Sequence, residues 1–451
     1  MSGTLAMFGG AKTLRRQDMG KELTGWPVIT EEEHAAVRGV LDGGLFTSND
    51  AGRGEVSALQ RDWAAYTGTR YCAAVSNGTA ALELALAALD LEPGSEVLVP
   101  ALTFIGTAIP VVQRLLVPVF VDVDPVTFTM DPQAAAAAVT ERTRAIVVVH
   151  LHGLPADMTA LRALADSRGL KLIEDAAQAQ GAEYQGRRAG SIGDVNATSL
   201  NVVKNLPTCG EGGLITTDDE ELYERIVLRR QFGEDLRAGK DRDYISRVLA
   251  GNEKLSAVQA AFTRRQLARL DEYHALRAKN VESFLDRIGR LPGLLAPQVP
   301  ADRTHAWHIL RLRFSAAGLG HPEVSDGALR AVLQRALKAE GVPVAPYQVV
   351  PLPGQRAFRE LSGFGGYPWR IEGAARPRHD IHEFPVSLAV IEDSLTIQRI
   401  HLNPAAGPVL DRCAQAFEKV WDRIEDLLPL ARAMEYRPPW HAAVNTPLES
   451  A

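Results

Sequence analysis

Residues 172–217 read LIEDAAQAQGAEYQGRRAGSIGDVNATSLNVVKNLPTCGEGGLITT, and the rest of the chain is organised around this stretch. An apolar run, LKLIED, closes on an acid, Asp175. Further on, a strand-like stretch closes on a lone lysine, Lys204, with Gly210, Gly212 and Gly213 just behind it. An acid at one strand end and a lysine on a later loop can grip opposite sides of a single flat ligand.

Working outward, the same short apolar runs recur. Tyr71–Ser76, Glu96–Thr103, Leu116–Asp124, Arg144–His152, Leu170–Asp175, Asn196–Val203 and Gly213–Thr217 make seven strand candidates. Between most of them lie helical patterns such as AALELALAAL (80–89), Pro132–Val139 and Met158–Arg168. That alternation predicts an α/β domain with a mostly parallel sheet covered by helices on both faces. Ligands of such sheets sit at the carboxyl ends of the strands. Asp175, Lys204 and the Asn77-Gly78-Thr79 turn all fall at predicted strand ends.

Residues 1–30 read as an irregular N-terminal arm and 31–290 as the large domain. Residues 291–437 read as a smaller α+β domain, and 438–451 as a loosely ordered tail. Glu31, Glu32 and Glu33 suit the first turn of a helix after Thr30. Val56–Thr67, Glu220–Gln231, Lys254–Ile288, Asp326–Glu340 and Val409–Leu428 have helical spacing. Leu45–Arg53 and the Gly- and Arg-rich Gly363–His382 read as loops, and Ala306–Phe314, Val342–Val349 and Ile397–Leu402 as extended segments.

The 451 residues are 46% hydrophobic and 23% charged, with net charge −6, which argues against a basic surface for nucleic acid. Cys72, Cys209 and Cys413 are few and far apart, as expected in a reducing compartment. No run is long enough to span a membrane, and the N-terminus lacks a signal-peptide core. A cytoplasmic protein is expected.

A lysine that attacks a carbonyl must first shed a proton, so a desolvated Lys204 would serve where a surface lysine would not. With Asp175 opposite, the pair suits pyridoxal phosphate: the amine forms a Schiff base with the aldehyde, and the acid keeps the pyridine nitrogen protonated. In a strand Glu174 points to the opposite face, and periodicity does not say which of the two acids enters the site. Asn77-Gly78-Thr79-Ala80 before a helix offers amides to a phosphate, or is an ordinary turn with a threonine cap. Ser199 can add a hydroxyl. Phe104 either stacks on a flat ring or fills the core. His150 and His152 share a strand face, but no third ligand supports a metal site. Cys209 reads as a packed small residue. Arg229 and Arg230 read as solvated, or as contacts for a phosphorylated substrate.

Taken together, six stretches resemble the DegT/DnrJ/EryC1/StrS family, the sugar aminotransferases of pyridoxal-phosphate fold type I. They are SNGTAAL (76–82), PALTFIGTA (100–108), VDVDPVTFTMDP (121–132), HLHGLPADM (150–158), EDAAQAQGAEYQGRRAGSIGD (174–194) and SLNVVKNLPTCGEGGLITTDD (199–219). The resemblance runs from about Phe8 to about Leu428. It implies the fold type I architecture, with a smaller C-terminal α+β domain. It also implies that Lys204 is the Schiff-base lysine and proton carrier, and Asp175 the acid on the pyridine nitrogen. Gln178 falls near the ring hydroxyl, Phe104 stacks on the ring, and Gly78, Thr79 and Ser199 cradle the phosphate. Asn252, in AGNEKLSAVQAA, holds the place of an asparagine that reaches the phosphate from the neighbouring subunit of a homodimer.

The resemblance implies a ping-pong reaction. Glutamate or glutamine gives its amine to the cofactor, which then aminates a ketone on a sugar, nucleotide-linked or not, or on a cyclitol. FGG near the N-terminus and SLNVVKNLP look closest to the branch serving aminoglycoside-like secondary metabolism. The alternatives are a sugar dehydratase of the same family, in which histidine replaces the lysine, and a non-catalytic regulatory protein on the same scaffold. Two stretches depart from the family pattern. The tyrosines and arginine flanking the family's asparagine are absent around Asn252, and IHLNP (400–404) stands where the family has L-P-L-H-P.

Overall fold

The computed structural model describes residues 3–47, 52–235, 242–377 and 379–445. Residues 48–51 of the expected 45–53 loop, residue 378 of the expected 363–382 loop and residues 446–451 of the expected tail lie outside them.

All seven expected strands form one sheet. They are β1 (Tyr71–Val75), β2 (Glu96–Pro100), β3 (Val117–Val121), β4 (Thr143–Val149), β5 (Lys171–Asp175), β6 (Val195–Ser199) and β7 (Gly213–Thr217). Their order is β1-β7-β6-β5-β4-β2-β3, and only β7 runs against its neighbours. The C-terminal ends of six strands and the start of β7 therefore share one edge. Alternate residues of each strand enter different cores, as the pleat requires. Ala73, Val75, Val97, Val99, Val147 and Ile173 pack on helices α3 (Gly78–Ala88) and α5 (Glu220–Arg230). Cys72, Ala74 and Leu214 face α2 (Glu55–Thr67) and α6 (Ala257–Ala268), and Leu98, Ile146, Val148 and Leu172 face α4 (Met158–Arg168).

The cap of α3 differs from the sequence reading. Asn77, not Thr79, caps it, its Oδ1 accepting from the Ala80 amide at 2.8 Å. That leaves the Thr79 hydroxyl free of capping duty.

Helix α1 (Glu31–Gly43) starts as expected, with Thr30 and Glu33 in a reciprocal cap. The single helix expected over 254–288 is two, α6 and α7 (Leu270–Ile288), because Arg269 leaves helical geometry. Its guanidinium binds the buried Glu33 carboxylate and the Thr30 hydroxyl of the α1 cap. The helix expected over 409–428 likewise breaks at Asp422 and Arg423, into α9 (Gly407–Trp421) and α10 (Ile424–Arg432).

A second, antiparallel sheet runs in the order β8 (Leu294–Leu295), β9 (Leu310–Phe314), β11 (Ser394–Ile397), β10 (Val344–Ala345). The segments expected to be extended at 342–349 and 397–402 are corrected here. Only Val344 and Ala345 pair, and the strand lies before Ile397 rather than after it. Arg399, at φ 46, turns the chain, and 400–402 form a 3-10 turn. Helix α8 (Asp326–Glu340) covers this sheet with α9 and α10.

The arm from Leu5 and the tail as far as Trp440 are also docked. Leu5 and Leu14 lie in the core of the second sheet's domain. The buried Glu340 carboxylate accepts from the Ala6 and Thr13 amides at 2.8 and 3.0 Å and from Lys419 at 2.9 Å. Trp440 is only 8% exposed and packs beside Leu102, Phe128 and Val350, followed by a short helix, His441–Asn445. An indole of that size explains why the start of the expected tail does not hang free. Among the described residues no helix is long and apolar enough to cross a membrane.

Candidate active site

A cavity of about 700 Å³ opens at the shared strand edge. Of the residues singled out by sequence, Gly78, Thr79, Phe104, Asp175, Gln178, Ser199 and Lys204 all line it.

Asp175 ends β5 and is 6% exposed. Its Oδ2 accepts from the Thr107 hydroxyl at 2.8 Å and its Oδ1 from the Ala177 amide at 3.1 Å. Thr107 in turn sits 3.2 Å from the Thr103 hydroxyl. The carboxylate is thus aimed and still has lone pairs for a ligand.

Glu174 answers the question periodicity left open, since its side chain is fully buried away from the cavity. Its oxygens take His150 Nε2 at 2.7 Å and the amides of Gly190, Ile192 and Gly193 at 2.8, 2.5 and 2.6 Å. Burial pushes this carboxyl up, but His150 and the backbone amides outweigh it and hold it below the usual range. His150 Nδ1 accepts from the Ala156 amide at 3.1 Å, which puts its proton on Nε2, toward Glu174. The HLH pair is therefore not a metal pair. His150 serves Glu174, and His152 is wedged edge-on between Phe128 and Tyr347. Among the described residues no group of three or more His, Cys, Asp or Glu could hold a metal ion.

Lys204 sits on the loop after β6, half-buried, with its backbone amide on Asn201 O at 2.8 Å. Its carbonyl accepts from the Trp26 indole at 2.9 Å. Next to it, Asn205 donates to Ala306 O at 2.6 Å and meets His308 Nδ1 at 3.0 Å. Burial lowers the amine to about 8; Asp175 pulls it up, Arg399 pushes it further down and Glu211 pulls it up. Relative to an unperturbed lysine, more of the amine is neutral near neutral pH.

The turn before α3 needs its glycine. A Cβ on Gly78 would lie 2.7 Å from Ser199 Cβ, so only a bare Cα lets the turn close on the end of β6. Thr79, Gly78 and Ser199 thereby form a compact polar cradle at a helix N-terminus. A Cβ on Gly106 would meet the Phe104 ring at 3.0 Å and the Thr79 hydroxyl at 3.2 Å, so the ring and the cradle adjoin. Phe104 is 63% exposed and walls the cavity rather than filling the core. Gln178 accepts from the His152 amide at 2.7 Å.

Other expectations are not brought together. Asn252, expected to serve a neighbouring subunit's site, lies exposed outside this chain's own cavity, where it accepts from the Lys254 amine. Cys209 is exposed at the tip of its loop rather than packed, because its neighbour Thr208 takes the buried position. Arg229 pairs with Asp90 at 3.4 Å, and Arg230 is buried on Gln60 Oε1 and Ala74 O, so neither meets the cavity. Conversely, spacing did not single out Thr107, Tyr347, Gln348, Gln355 and Arg399, all of which line it. Thr107 lay within the quoted PALTFIGTA stretch. The others come from the second domain, without a local pattern.

A neutralisable amine and a fixed carboxylate, sharing a cavity with a phosphate-sized cradle, define an amine-transfer site on a fold type I scaffold. The chain belongs to the DegT/DnrJ/EryC1/StrS aminotransferase family, whose model matches residues 27–392. It is 35% identical to the L-glutamine:2-deoxy-scyllo-inosose aminotransferase of Streptomyces lividus, over 95% of this chain and 100% of that one. It is 38% identical to the dTDP-3-amino-3,4,6-trideoxy-alpha-D-glucose transaminase of Streptomyces venezuelae, over 77% of this chain and 86% of that one. Among solved structures, the PLP form of a proposed sugar aminotransferase from Streptococcus pneumoniae superposes with TM-score 0.74 at 25% identity, covering 88% of this chain and 98% of that one.

Proposed function

We propose that this aminotransferase uses pyridoxal phosphate to move an amino group from glutamate or glutamine to a ring ketone, in the cytoplasm, within secondary-metabolite biosynthesis. One observation carries the reading: the Lys204 amine and the Asp175 carboxylate converge on one cavity, beside a cradle that a Gly78 Cβ would fill.

The residues present fit the cofactor. Gly78, Thr79 and Ser199 would hold the phosphate, Phe104 the ring face, Gln178 the ring hydroxyl and Asp175 the ring nitrogen. When bound, the cofactor supplies an electron sink that makes the carbon beside the amine acidic. Lys204 Nζ, lowered to about 8, would take a proton from that carbon and deliver it to a second carbon, as transfer of the amine requires. Thr107 keeps Asp175 aimed, so its negative charge stabilises a proton on the ring nitrogen throughout.

The reading includes a homodimer, in which Asn252 of the partner subunit completes the phosphate seat. For the acceptor, a free cyclitol is favoured over a nucleotide-linked sugar. Among the described cavity residues only Lys204 and Arg399 are cationic, whereas Gln178, Gln348, Gln355, Asn201 and Tyr347 offer amides and a hydroxyl suited to a polyol. The relative that matches nearly end to end acts, by its name, on 2-deoxy-scyllo-inosose.

The test begins with colour. Purified chain incubated with pyridoxal phosphate should turn yellow and lose the colour when glutamine or glutamate is added. A screen of keto-cyclitols against nucleotide keto-sugars should then restore it for the acceptor. A chain that never takes up the cofactor would overturn the reading.

A further inference from the structure

Arg277, on α7, is fully buried and has no carboxylate partner among the described residues. Burial alone acts on its charge, lowering the group to about 9. A guanidinium in such a place is expensive, because no opposite charge offsets its desolvation. A neutral side chain of similar length would fill the space without that penalty. What the guanidinium touches therefore decides why it is there.

Its contacts are two carbonyls and a ring. Nε and one terminal nitrogen donate to Leu402 O at 3.3 and 3.0 Å, and the other terminal nitrogen donates to Ala306 O at 3.3 Å. The guanidinium carbon lies 5.4 Å from the centre of the Trp26 indole, within reach of a cation–π contact. Tyr273, one turn earlier on α7, meets the same indole edge-on at 6.2 Å.

Two of these contacts lead to Lys204. The Trp26 indole donates to Lys204 O at 2.9 Å, and Ala306 O also accepts from the Asn205 side-chain amide at 2.6 Å. The peptide after Lys204 is thus held at its carbonyl and through the next side chain, and both holders rest on one guanidinium. The third contact, Leu402 O, belongs to the 3-10 turn of the second domain. A planar group with five donors can reach both carbonyls while presenting a face to the indole; an ammonium cannot.

A small rotation of that peptide would swing the far end of the lysine side chain out of line, and reacting groups tolerate little misplacement. We infer that Arg277 is a positioning residue: by fixing Trp26 and Ala306 O it sets the direction in which Lys204 enters the cavity, and it ties that direction to the seat of the second domain. This rests on the aminotransferase reading of Lys204.

The experiment compares wild type with Arg277→Met, Arg277→Lys, Trp26→Phe and the Arg277→Met/Trp26→Phe double variant, each as the full chain. Hydrogen exchange is followed first, without cofactor. Arg277→Met should speed exchange of the amides of residues 202–206 by about tenfold or more, while α3 and α8 keep wild-type rates. No change at 202–206, or equal acceleration in α3 and α8, would overturn the assignment, the second result marking a general loss of stability. If Arg277→Met does not fold, Arg277→Lys is read in its place. With pyridoxal phosphate bound, kcat for transamination should fall roughly 10- to 100-fold in Arg277→Met, with donor KM within about twofold of wild type. Arg277→Lys should fall nearly as far, and full rate in it would show that charge without the planar fork suffices, against the proposal. The double variant should stay close to the more impaired single variant, since both act through one peptide; losses that multiply would also overturn it. Were wild type to transaminate nothing, the aminotransferase reading would fall, while exchange at 202–206 would still judge Arg277.

Discussion

The two walls of the cavity are built differently. The wall from the large sheet is bonded to itself: Thr107 holds Asp175, Asn77 caps α3, and Trp26 and Asn205 pin the loop of Lys204. The wall from the second domain carries side chains such as Arg399 that end in open space. A wall that satisfies its own polar groups keeps reacting atoms in register; a wall with spare donors can meet more than one guest. Positions on the first should therefore govern rate, and positions on the second should govern affinity.

Four measurements would break or sharpen that division. Lys204→Ala should cost most, lowering the overall transamination rate by about 10³-fold or more while the chain stays folded. Retained turnover would remove the amine from the reaction. Asp175→Asn should lower kcat by about 10²-fold, because an amide no longer supports a proton on the ring nitrogen, with donor KM little altered. Glu174→Gln tests the adjacent residue on the other face of β5. It should lower stability by about 3 kcal/mol, since it leaves His150 and three amides around a neutral group, yet leave kcat within a few-fold. Equal loss of rate in the two neighbours would dissolve the distinction between them. Tyr347→Phe, on the second wall, should have the smallest effect, raising a substrate KM by about tenfold or less without changing kcat.

Acidification probes three histidines outside the cavity lining. Burial, with help from nearby charges, holds His305 and His401 down to about 3, and His274 likewise. In the unfolded chain each takes a proton near pH 6.5, so the unfolded state binds more protons below that pH. Stability is then full above about pH 6.5 and lost progressively as the pH falls toward 3. Thermal unfolding at pH 7, 6 and 5 should show a falling midpoint; a flat profile would mean these rings are already charged in the native state.

The seven strands were legible because each is a short apolar run closed by a polar or glycine residue, and the site residues at their ends inherited that signal. Asp175 against Glu174 was not legible in periodicity, and only the family resemblance named Asp175. The pleat separates two adjacent acids, but only the tertiary positions of Gly190, Ile192 and Gly193 show which one is neutralised inside. Arg269 and Arg399 defeated the element boundaries for a related reason. Each leaves regular backbone geometry at a place set by distant partners, Glu33 in one case and the pairing of Ser394–Ile397 in the other. Periodicity carries no trace of either. Tyr347 and Gln355 reach the cavity only because the second domain folds back over it, and no local spacing records that.

The first residues of the chain touch both domains. Leu5 and Leu14 are anchored in one, and Trp26 holds the carbonyl of Lys204 in the other. The arm is thus a tether, and any hinge movement between the domains would tug on the backbone that carries the amine. Trimming it, or burdening it with a bulky N-terminal fusion, would loosen that tether and blunt activity without touching any group that meets substrate.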